Sequence, residues 1–363
     1  MKSDKNYCVI MAGGIGSRFW PMSRTAMPKQ FLDILGTGKS LIRDTFERFA
    51  NICPDENVLV VTNAAYRDLV LQHLPELKAD QVLLEPEGRN TAPCIAYATY
   101  RIAVRSKEAN IIVAPSDHLI SNVPEFERVI NIALEEAEQT DNLVTLGIAP
   151  SRPDTGYGYI HFEDKEGARD PLVKRVKAFK EKPDLETAKA FVADGNYAWN
   201  GGIFIWSLKN IMNSLELHLP DMAKIFKEGM GKLGTSEESA FIEENFSKCE
   251  SISIDYGVME RAAHVSVVES DFGWSDLGTY GSLYTHLNKD GEGNASVGAK
   301  TRYYDSSNNL ISTSKGKMVV TKGLENFIVI ETDQSLMIIP REDEQFVKQI
   351  VTDLKDDGEK DFY

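Results

Sequence analysis

The chain has 363 residues, of which 42% are hydrophobic and 26% are charged, and its formal net charge at pH 7 is −15. This length favours two domains, or one large domain with an appendage, over a single small core. The negative charge argues against a nucleic-acid-binding protein, because a phosphate backbone needs a basic face. It still allows a locally basic site for a small phosphorylated ligand.

The cysteines and the amino terminus indicate the cellular compartment. No C-x-x-C pair is present among Cys8, Cys53, Cys94 and Cys249, so we interpret them as reduced thiols. The first five residues are polar, unlike a signal peptide, and no run approaches the roughly 20 apolar residues of a membrane span. We therefore expect a cytoplasmic protein that has no membrane partner.

The first 150 residues alternate short apolar runs with longer amphipathic segments. The apolar runs predict buried strands at Tyr7–Met11, Val58–Val61, Val82–Leu84, Ile111–Ala114 and Leu143–Leu146. The segments between them predict helices at Leu41–Phe49, Ala64–Leu74, Thr91–Ser106 and Pro124–Glu138. This alternation is typical of an α/β fold with helices on both faces of the sheet, in which ligands bind beyond the carboxyl ends of the strands.

The pattern changes after residue 150. Strands are predicted near Val173–Lys180, Gly202–Trp206 and Val265–Val268, and the polar segment Asn288–Ala295 (NKDGEGNA) is a candidate linker. Beyond it, strands are predicted at Met318–Val320, Phe327–Ile330 and Leu336–Ile339, followed by a helix from about Glu342. We therefore predict one domain over residues 1–288 and a small β-rich domain over residues 289–363.

A glycine-rich loop, Ala12–Arg18 (AGGIGSR), directly follows the first predicted strand. Glycines allow positive φ and close approach of the backbone, so that successive N–H groups can point at phosphate oxygens. The alternative is a tight turn with no ligand. The loop is not a dinucleotide fingerprint, because Phe19 replaces the third glycine, and it lacks the ending of a P-loop. A second loop, Gly36–Ser40, ends like a P-loop but has Asp33 at the first glycine position, so we interpret it as a turn.

Three cations, Arg18, Arg24 and Lys29, lie within a dozen residues of this loop. Pro21 and Pro28 disfavour a plain helix here, which favours an irregular segment that covers a ligand. Phosphoryl transfer needs fixed positive charge where negative charge accumulates, and Arg18 and Lys29 could supply it. A solvated basic surface is the alternative.

Several short motifs follow predicted strands and carry polar groups. Asp117 follows the strand at Ile111–Ala114, and Asp276 lies in the loop Gly273–Gly278. Each is a candidate ligand of Mg²⁺, and each could instead cap a turn or a helix. Three further motifs suit a phosphorylated, polyhydroxylated ligand, although each alone could be a surface turn: Gly156–Tyr159, Glu181–Pro183 and Asn200–Gly202.

Taken in order, these motifs resemble the signature of the sugar-nucleotide pyrophosphorylases. The resemblance rests on the glycine-rich loop with Phe19-Trp20-Pro21 and on Pro28-Lys29-Gln30-Phe31. The motif at residues 85–93 (EPEGRNTAP) makes the resemblance more specific: among these enzymes, the sequence resembles the mannose-1-phosphate guanylyltransferases, also called GDP-mannose pyrophosphorylases. It covers most of residues 6–288, and the tail is similar to the short C-terminal β-helix-like domain of that family.

The resemblance implies a nucleotidyltransferase-type α/β/α sandwich with a mixed, mostly parallel sheet. It implies transfer of GMP from GTP to mannose 1-phosphate, with Mg²⁺ as cofactor. The implied nucleotide contacts are Ala12, Gly13, Gly14, Gly16, Ser17, Arg89, Asn90 and Thr91. The implied catalytic cations are Arg18, Lys29 and Lys182. The implied sugar contacts are Gly158, Glu181 and Asn200, and the implied metal ligands are Asp117 and Asp276.

Other functions stay open at this point. The same fold could use another substrate pair, such as UTP or dTTP with glucose 1-phosphate, or could bind nucleotide sugars without turnover as a regulatory subunit. Retention of all the charged motif residues argues against the silent subunit. A dehydrogenase is disfavoured by Phe19 and by the lack of a clear catalytic histidine. The apolar content of the tail suggests a homodimer.

Overall fold

The computed structural model describes residues 2–363. The chain divides into two units. The first unit contains the residues up to Gly13, Thr45–Ser116 and Ile120–Trp274, and the second contains Gly14–Asp44, Asp117–Leu119 and Ser275–Tyr363. The domain boundary predicted between residues 288 and 289 lies within the second unit, and the division at that point stays a prediction. No helix in residues 2–363 combines the length and the apolar character needed to cross a membrane.

The apolar runs of the first 275 residues form short strands. These are β1 (Asn6–Ala12), β2 (Val58–Asn63), β3 (Val82–Glu85), β4 (Asn110–Pro115), β5 (Leu119–Ile120), β6 (Leu143–Ile148), β7 (Gly158–Asp164), β8 (Val173–Glu181), β9 (Tyr197–Ser207), β10 (Val265–Ser270) and β11 (Trp274–Ser275). All eight strands predicted in this part are confirmed. The strand predicted at Gly202–Trp206 begins earlier, at Tyr197, and so includes Asn200.

Residues 2–363 contain ten α-helices. These are α1 (Leu41–Arg48), α2 (Arg67–His73), α3 (Thr91–Arg105), α4 (Val123–Gln139), α5 (Leu185–Asp194), α6 (Leu208–His218), α7 (Pro220–Gly229), α8 (Glu238–Asn245), α9 (Tyr280–His286) and α10 (Val347–Asp356). The helix predicted at Ala64–Leu74 is only partly correct, because residues 64–66 form a 3-10 turn before α2 begins.

A nine-stranded sheet forms the centre of the first unit, in the order β3-β2-β1-β4-β9-β6-β10-β8-β7. Strands β3, β2, β1 and β4 pair in parallel, as do β6 and β10, whereas β9 and β8 are antiparallel to their neighbours. Seven of the nine strands therefore share one direction. The prediction of a mixed, mostly parallel sheet is confirmed.

Side chains alternate between the two faces of a sheet along each strand, so a strand that is apolar throughout places apolar side chains on both faces. Helices cover both faces of this sheet and bury those side chains. On β1, Tyr7 and Val9 join the buried cluster that contains the apolar residues of α3, α6 and α7. Cys8 and Ile10 point to the opposite face and are fully buried. Phe126 of α4 packs edge-on against Phe49. The predicted α/β/α sandwich is confirmed.

The second unit is rich in β-structure. Its strands are β12 (Ala295–Val297), β13 (Lys300–Tyr304), β14 (Leu310–Ser312), β15 (Met318–Lys322), β16 (Phe327–Glu331) and β17 (Leu336–Pro340). The parallel strands β12, β14 and β16 stack as rungs, and β13 pairs in parallel with β15. Successive parallel rungs are typical of a β-helix, so the predicted β-helix-like domain is confirmed.

The segment predicted as a linker, Asn288–Ala295, is an ordered turn, and its role as a connection between two domains stays a prediction. The carboxylate of Asp290 accepts hydrogen bonds from the backbone N–H groups of Glu292, at 3.0 Å, and Asn294, at 2.8 Å. The side chain of Asn309 donates to Asn294 Oδ1 at 2.9 Å, and Asn309 Oδ1 accepts from the N–H of Phe327 at 3.0 Å. These bonds join the turns of successive rungs through two buried asparagines, Asn294 and Asn309.

Candidate active site

The glycine-rich loop continues from β1. Ala12 is the buried last residue of that strand, and Gly13 is exposed. Gly14 and Gly16 have φ values of 84° and 74°, where a glycine avoids strain. A Cβ atom placed on Gly16 would lie 2.5 Å from Lys29 Cβ. Gly16 is therefore needed both for its backbone conformation and for the close approach of Lys29.

A cavity of about 450 Å³ lies in the second unit. Its lining residues are Gly16, Ser17, Arg18, Phe19, Lys29, Asp117, His118, Asp276, Leu277, Gly278 and Lys348. Six of the predicted site residues are therefore brought together there, although they come from three separate stretches of the chain. The lining combines cations with carboxylates, which suits a phosphorylated ligand accompanied by a metal ion.

Lys29 is the buried cation of this cavity, with 4% of its surface exposed. Its ammonium donates to Asp117 Oδ2 at 2.9 Å and to the carbonyl of Asp276 at 2.8 Å. Burial alone would raise the pKa of Asp117, but the charges of Lys29 and His118 and the bond from Lys29 outweigh it, so that this pKa lies below its usual value. Lys29 thus holds both candidate metal-binding segments in place.

Asp276 does not cap the following helix, so that alternative for its role is wrong. Thr279 is the N-cap of α9, and its hydroxyl accepts from the N–H of Ser282 at 3.2 Å. Asp276 Oδ1 instead accepts from the N–H of Gly278 at 3.0 Å. A Cβ atom on residue 278 would lie 2.7 Å from Asp276 Oδ2, so a glycine at this position leaves room for the second carboxylate oxygen.

The donor set of the cavity fits Mg²⁺. Asp117 and Asp276 both line the cavity and supply hard carboxylate oxygens, the ligand type that Mg²⁺ prefers. In residues 2–363 no cluster of three or more His, Cys, Asp or Glu side chains could hold a metal ion by itself. Mg²⁺ usually takes one or two protein carboxylates and completes its shell with substrate phosphates and water.

A second polar cluster, the β-sheet cluster, lies in the first unit and contains Gly158, Glu181 and Asn200. Gly158 pairs with Glu181 across β7 and β8. A Cβ atom on Gly158 would overlap the carboxylate of Glu181 and would lie 3.5 Å from Asn200 Cβ. The absence of a side chain at Gly158 therefore makes the space that Glu181 occupies.

Asp255 is a member of the β-sheet cluster that the sequence did not predict. It begins a π-helical turn, and Asn200 Nδ2 donates to its Oδ1 at 2.7 Å. Burial and the nearby charge of Glu181 raise its pKa to about 6. Lys182 donates to Glu181 at 2.5 Å, and this hydrogen bond raises the pKa of Lys182. The cluster thus holds two carboxylates and a cation, which suit hydroxyl groups and a phosphate respectively.

Aromatic rings also lie near the start of β7. The ring of Tyr157 packs edge-on against those of Trp199, at 5.0 Å, and Trp274, at 5.3 Å, between ring centroids. The guanidinium of Arg152 lies 5.2 Å from the Trp199 ring centroid. Tyr157 and Trp274 lie in two different motifs that are distant in sequence, which explains why the sequence did not reveal that their rings meet.

The predicted nucleotide segment Arg89–Thr91 anchors the chain that leads to Asp255. Arg89 donates to the carbonyl of Cys249 at 2.9 Å, and the hydroxyl of Thr91 accepts from the N–H of Ile254 at 2.9 Å. Asn90 has a φ of 67° and caps α3 through its side chain. These contacts give the segment a structural role, and its contact with a nucleotide stays a prediction.

Residues 7–293 match the Nucleotidyl transferase family. The chain belongs to this family. Residues 303–354 of the nucleotidyltransferase match the MannoseP isomerase/GMP-like beta-helix domain. An Escherichia coli relative, a mannose-1-phosphate guanylyltransferase, is 37% identical over 352 residues, which are 96% of this chain and 73% of the relative. A Klebsiella pneumoniae protein of the same name is 36% identical over 98% of this chain and 75% of its own length.

A solved structure agrees with this assignment. The crystal structure of a Thermus thermophilus protein, described as a mannose-1-phosphate geranyltransferase, is 31% identical to the nucleotidyltransferase. The match has a TM-score of 0.87 and covers 97% of this chain and 99% of that one. The resemblance to mannose-1-phosphate guanylyltransferases that the motifs indicated is therefore confirmed at the level of the family.

Glu85 is a further buried carboxyl group of the nucleotidyltransferase. It is the last residue of β3, is 7% exposed, and has an Oε1 atom without a hydrogen-bond partner in residues 2–363. Burial raises its pKa to about 7. A carboxyl that takes up its proton more readily in the folded state destabilises the fold as the pH rises through this range.

We predict that Glu85→Gln stabilises the folded protein at pH 8 by on the order of 2 kcal/mol and changes little at pH 5. At pH 5 the native carboxyl is already protonated, whereas at pH 8 its burial as a charge carries a cost that the amide avoids. Urea unfolding at both pH values measures the difference. Glu56→Gln, at an exposed position, is the matched control, and an equal gain at both pH values would contradict the prediction.

Proposed function

We propose that the protein transfers GMP from GTP to mannose 1-phosphate, producing GDP-mannose and pyrophosphate. The observation that carries the proposal is the cavity that joins the glycine-rich loop to Arg18, Lys29, Asp117 and Asp276. The kinship with mannose-1-phosphate guanylyltransferases supports the choice of substrates. Contacts of GTP with Ala12, Gly13, Gly14, Gly16, Ser17, Arg89, Asn90 and Thr91 belong to this proposal.

The chemistry requires charge neutralisation more than proton transfer. An oxygen of the sugar phosphate attacks the α-phosphorus of GTP, and the bond from that phosphorus to the α–β bridging oxygen breaks, so that pyrophosphate leaves in line. Because the nucleophile is already an anion, no general base is needed. Arg18 lines the cavity and is exposed to an incoming polyanion, while Lys29 supplies fixed positive charge beneath it.

Asp117 and Asp276 would hold Mg²⁺, which when bound neutralises phosphate charge and orients the phosphate oxygens. Lys29 keeps Asp117 ionised in the folded protein, because it lowers the pKa of this carboxyl. The N–H of Gly278 fixes one oxygen of Asp276. The protein residues therefore maintain two oriented carboxylates before any ligand arrives.

The β-sheet cluster supports binding of the sugar phosphate. The carboxylate of Glu181 and the side chain of Asn200 are oriented by short hydrogen bonds and suit the hydroxyls of mannose. Asp255 adds a second carboxylate beside them. Lys182 is 63% exposed and can turn its ammonium toward a phosphate. Replacing Lys182 by arginine would alter this contact, because the lysine ammonium is a compact point charge and the arginine guanidinium is a planar fork.

The experiment is an incubation of the purified full chain with radiolabelled mannose 1-phosphate, GTP and Mg²⁺. Labelled GDP-mannose is the expected product, and a folded protein that makes none would defeat the proposal. A panel of UTP, dTTP, ATP and glucose 1-phosphate tests the competing substrate pairs. Binding of GDP-mannose without turnover of any pair would instead identify a regulatory subunit.

We also propose that the protein forms a homodimer through the second unit. Strand β17 is at the end of a four-stranded sheet and exposes Leu336 and Ile338, at 61% and 54%, while Met337 between them is buried. An exposed apolar edge strand is prone to pair with another chain.

The dimer can be tested with the full chain by light scattering. We expect a mass near twice 40.5 kDa for the native protein and a monomer for the double variant Leu336→Lys, Ile338→Lys. A double variant Asp357→Asn, Glu359→Gln, at exposed positions of the same unit, changes the net charge by the same +2 and controls for altered charge. A native protein that elutes as a monomer at all concentrations would refute the homodimer.

A further inference from the structure

Helix α10 is fixed to the glycine-rich segment within the second unit. Val347 and Val351 on one face of the helix are buried at 0% and 7% exposure, in the same cluster as Phe19 and Trp20. The indole N–H of Trp20 also donates to the carbonyl of Phe362 at 2.6 Å. The helix and the residues after it therefore support the glycine-rich segment that lines the 450 Å³ cavity, which is called the phosphate cavity below.

The residues just before α10 are also anchored to the rest of the second unit. The carboxylate of Glu344 accepts from the N–H of Gly281 at 2.6 Å. The guanidinium of Arg341 lies 3.7 Å from the ring centroid of Tyr284 and donates to the carbonyl of Asn308. With anchors on both sides, the backbone of the first turn of α10 is held in place beside the cavity.

Lys348 lies in this first turn and lines the cavity, although it is about 330 residues away from the glycine-rich loop in sequence. Among the cations that line the cavity, Lys29 is already bonded to Asp117 and to the carbonyl of Asp276. Arg18 and Lys348 are both exposed. A triphosphate carries about four negative charges, so each cation that lines the cavity increases the affinity of the cavity for it.

We propose that Lys348 binds the polyphosphate of the nucleotide and the pyrophosphate that leaves. This inference rests on the proposed function, because it assigns a further contact to the same reaction. It makes the C-terminal helix a contributor to catalysis in addition to its role in packing. The ligand class is a di- or triphosphate chain, whereas the sugar phosphate is assigned to other residues.

The test measures binding and turnover in Lys348→Ala, Lys348→Arg and the matched control Lys360→Ala, which removes an exposed lysine from the same unit. Calorimetry with inorganic pyrophosphate, and with GTP in the presence of Mg²⁺, gives the affinity without turnover. We expect Lys348→Ala to weaken both about 10-fold or more, Lys348→Arg to recover most of the loss, and Lys360→Ala to match the native protein.

Kinetics then separate a contact from a packing role. In Lys348→Ala the KM for GTP should rise, while the KM for mannose 1-phosphate and the melting temperature stay near the native values. Unchanged affinity for both GTP and pyrophosphate would overturn the inference, and so would equal losses for both substrates together with a lower melting temperature. If the native chain bound pyrophosphate through Lys348 but made no GDP-mannose, the proposed function would fail, while Lys348 would still be identified as a residue that binds a polyphosphate.

Discussion

Replacing Lys29 by alanine is expected to lower kcat by about 10²- to 10³-fold, the loss typical when a preorganised group that stabilises developing charge is removed. Lys29 is the buried cation of the phosphate cavity and also holds Asp117 and the backbone of Asp276. Its removal takes away positive charge and releases both candidate metal ligands. Steady-state kinetics with GTP and mannose 1-phosphate measure the loss.

The structure also changes the expected effect of this substitution on folding. From the sequence, Lys29 lies in a loop, and its loss should cost little stability. Lys29 is instead buried and paired with Asp117. Without Lys29 the carboxylate of Asp117 loses its cationic partner, so the pKa of Asp117 would rise. Burial of the unpaired carboxylate would then destabilise the fold at neutral pH. We therefore expect a lower melting temperature as well as lower activity.

Two controls separate these effects. The double variant Lys29→Met, Asp117→Asn removes both charges, and its melting temperature should recover relative to Lys29→Ala while its activity stays low. Lys315→Ala, at an exposed position in the second unit, should behave like the native protein. A folded Lys29→Ala protein with native turnover would remove Lys29 from the catalytic residues.

The strands and most helices could be predicted because their signal is local. An apolar run such as the one in β1 must be buried, and helical spacing of apolar residues defines α4 within one residue at each end. The order of the strands could not be predicted, because the pairing of β9 between β4 and β6 joins segments that are distant in sequence. Polar composition did not reveal that Asn288–Ala295 is an ordered turn, in which Asn294 accepts a hydrogen bond from Asn309 of the next turn.

The candidate site shows the same division. The glycine-rich loop and the charged residues of later motifs were predicted, and six of the predicted residues line one cavity. Asp255 and Lys348 were not, since each reaches its cluster only through tertiary packing: Asp255 through the contacts of Thr91 and Asn200, and Lys348 through the burial of Val347. Neither residue lies in a glycine-rich or otherwise distinctive motif.

The second large effect is expected for Asp276→Asn, which should raise the Mg²⁺ concentration for half-maximal activity by about 10- to 100-fold. Loss of one carboxylate charge weakens the binding of a hard cation more than it weakens binding of the sugar. The asparagine carbonyl can still accept the N–H of Gly278, so the loop should keep its shape. Activity measured across a Mg²⁺ titration gives the shift.

This design distinguishes a metal ligand from a residue that only shapes its loop. A structural role depends on the bond to Gly278, which asparagine preserves, so it predicts a normal Mg²⁺ titration for Asp276→Asn and damage only for Asp276→Ala. A role as a ligand predicts that both variants need more metal, with saturating Mg²⁺ restoring part of the activity of the asparagine variant. Asp271→Asn, at an exposed position before the same loop, provides the matched control, because it removes an equal charge from outside the cavity lining.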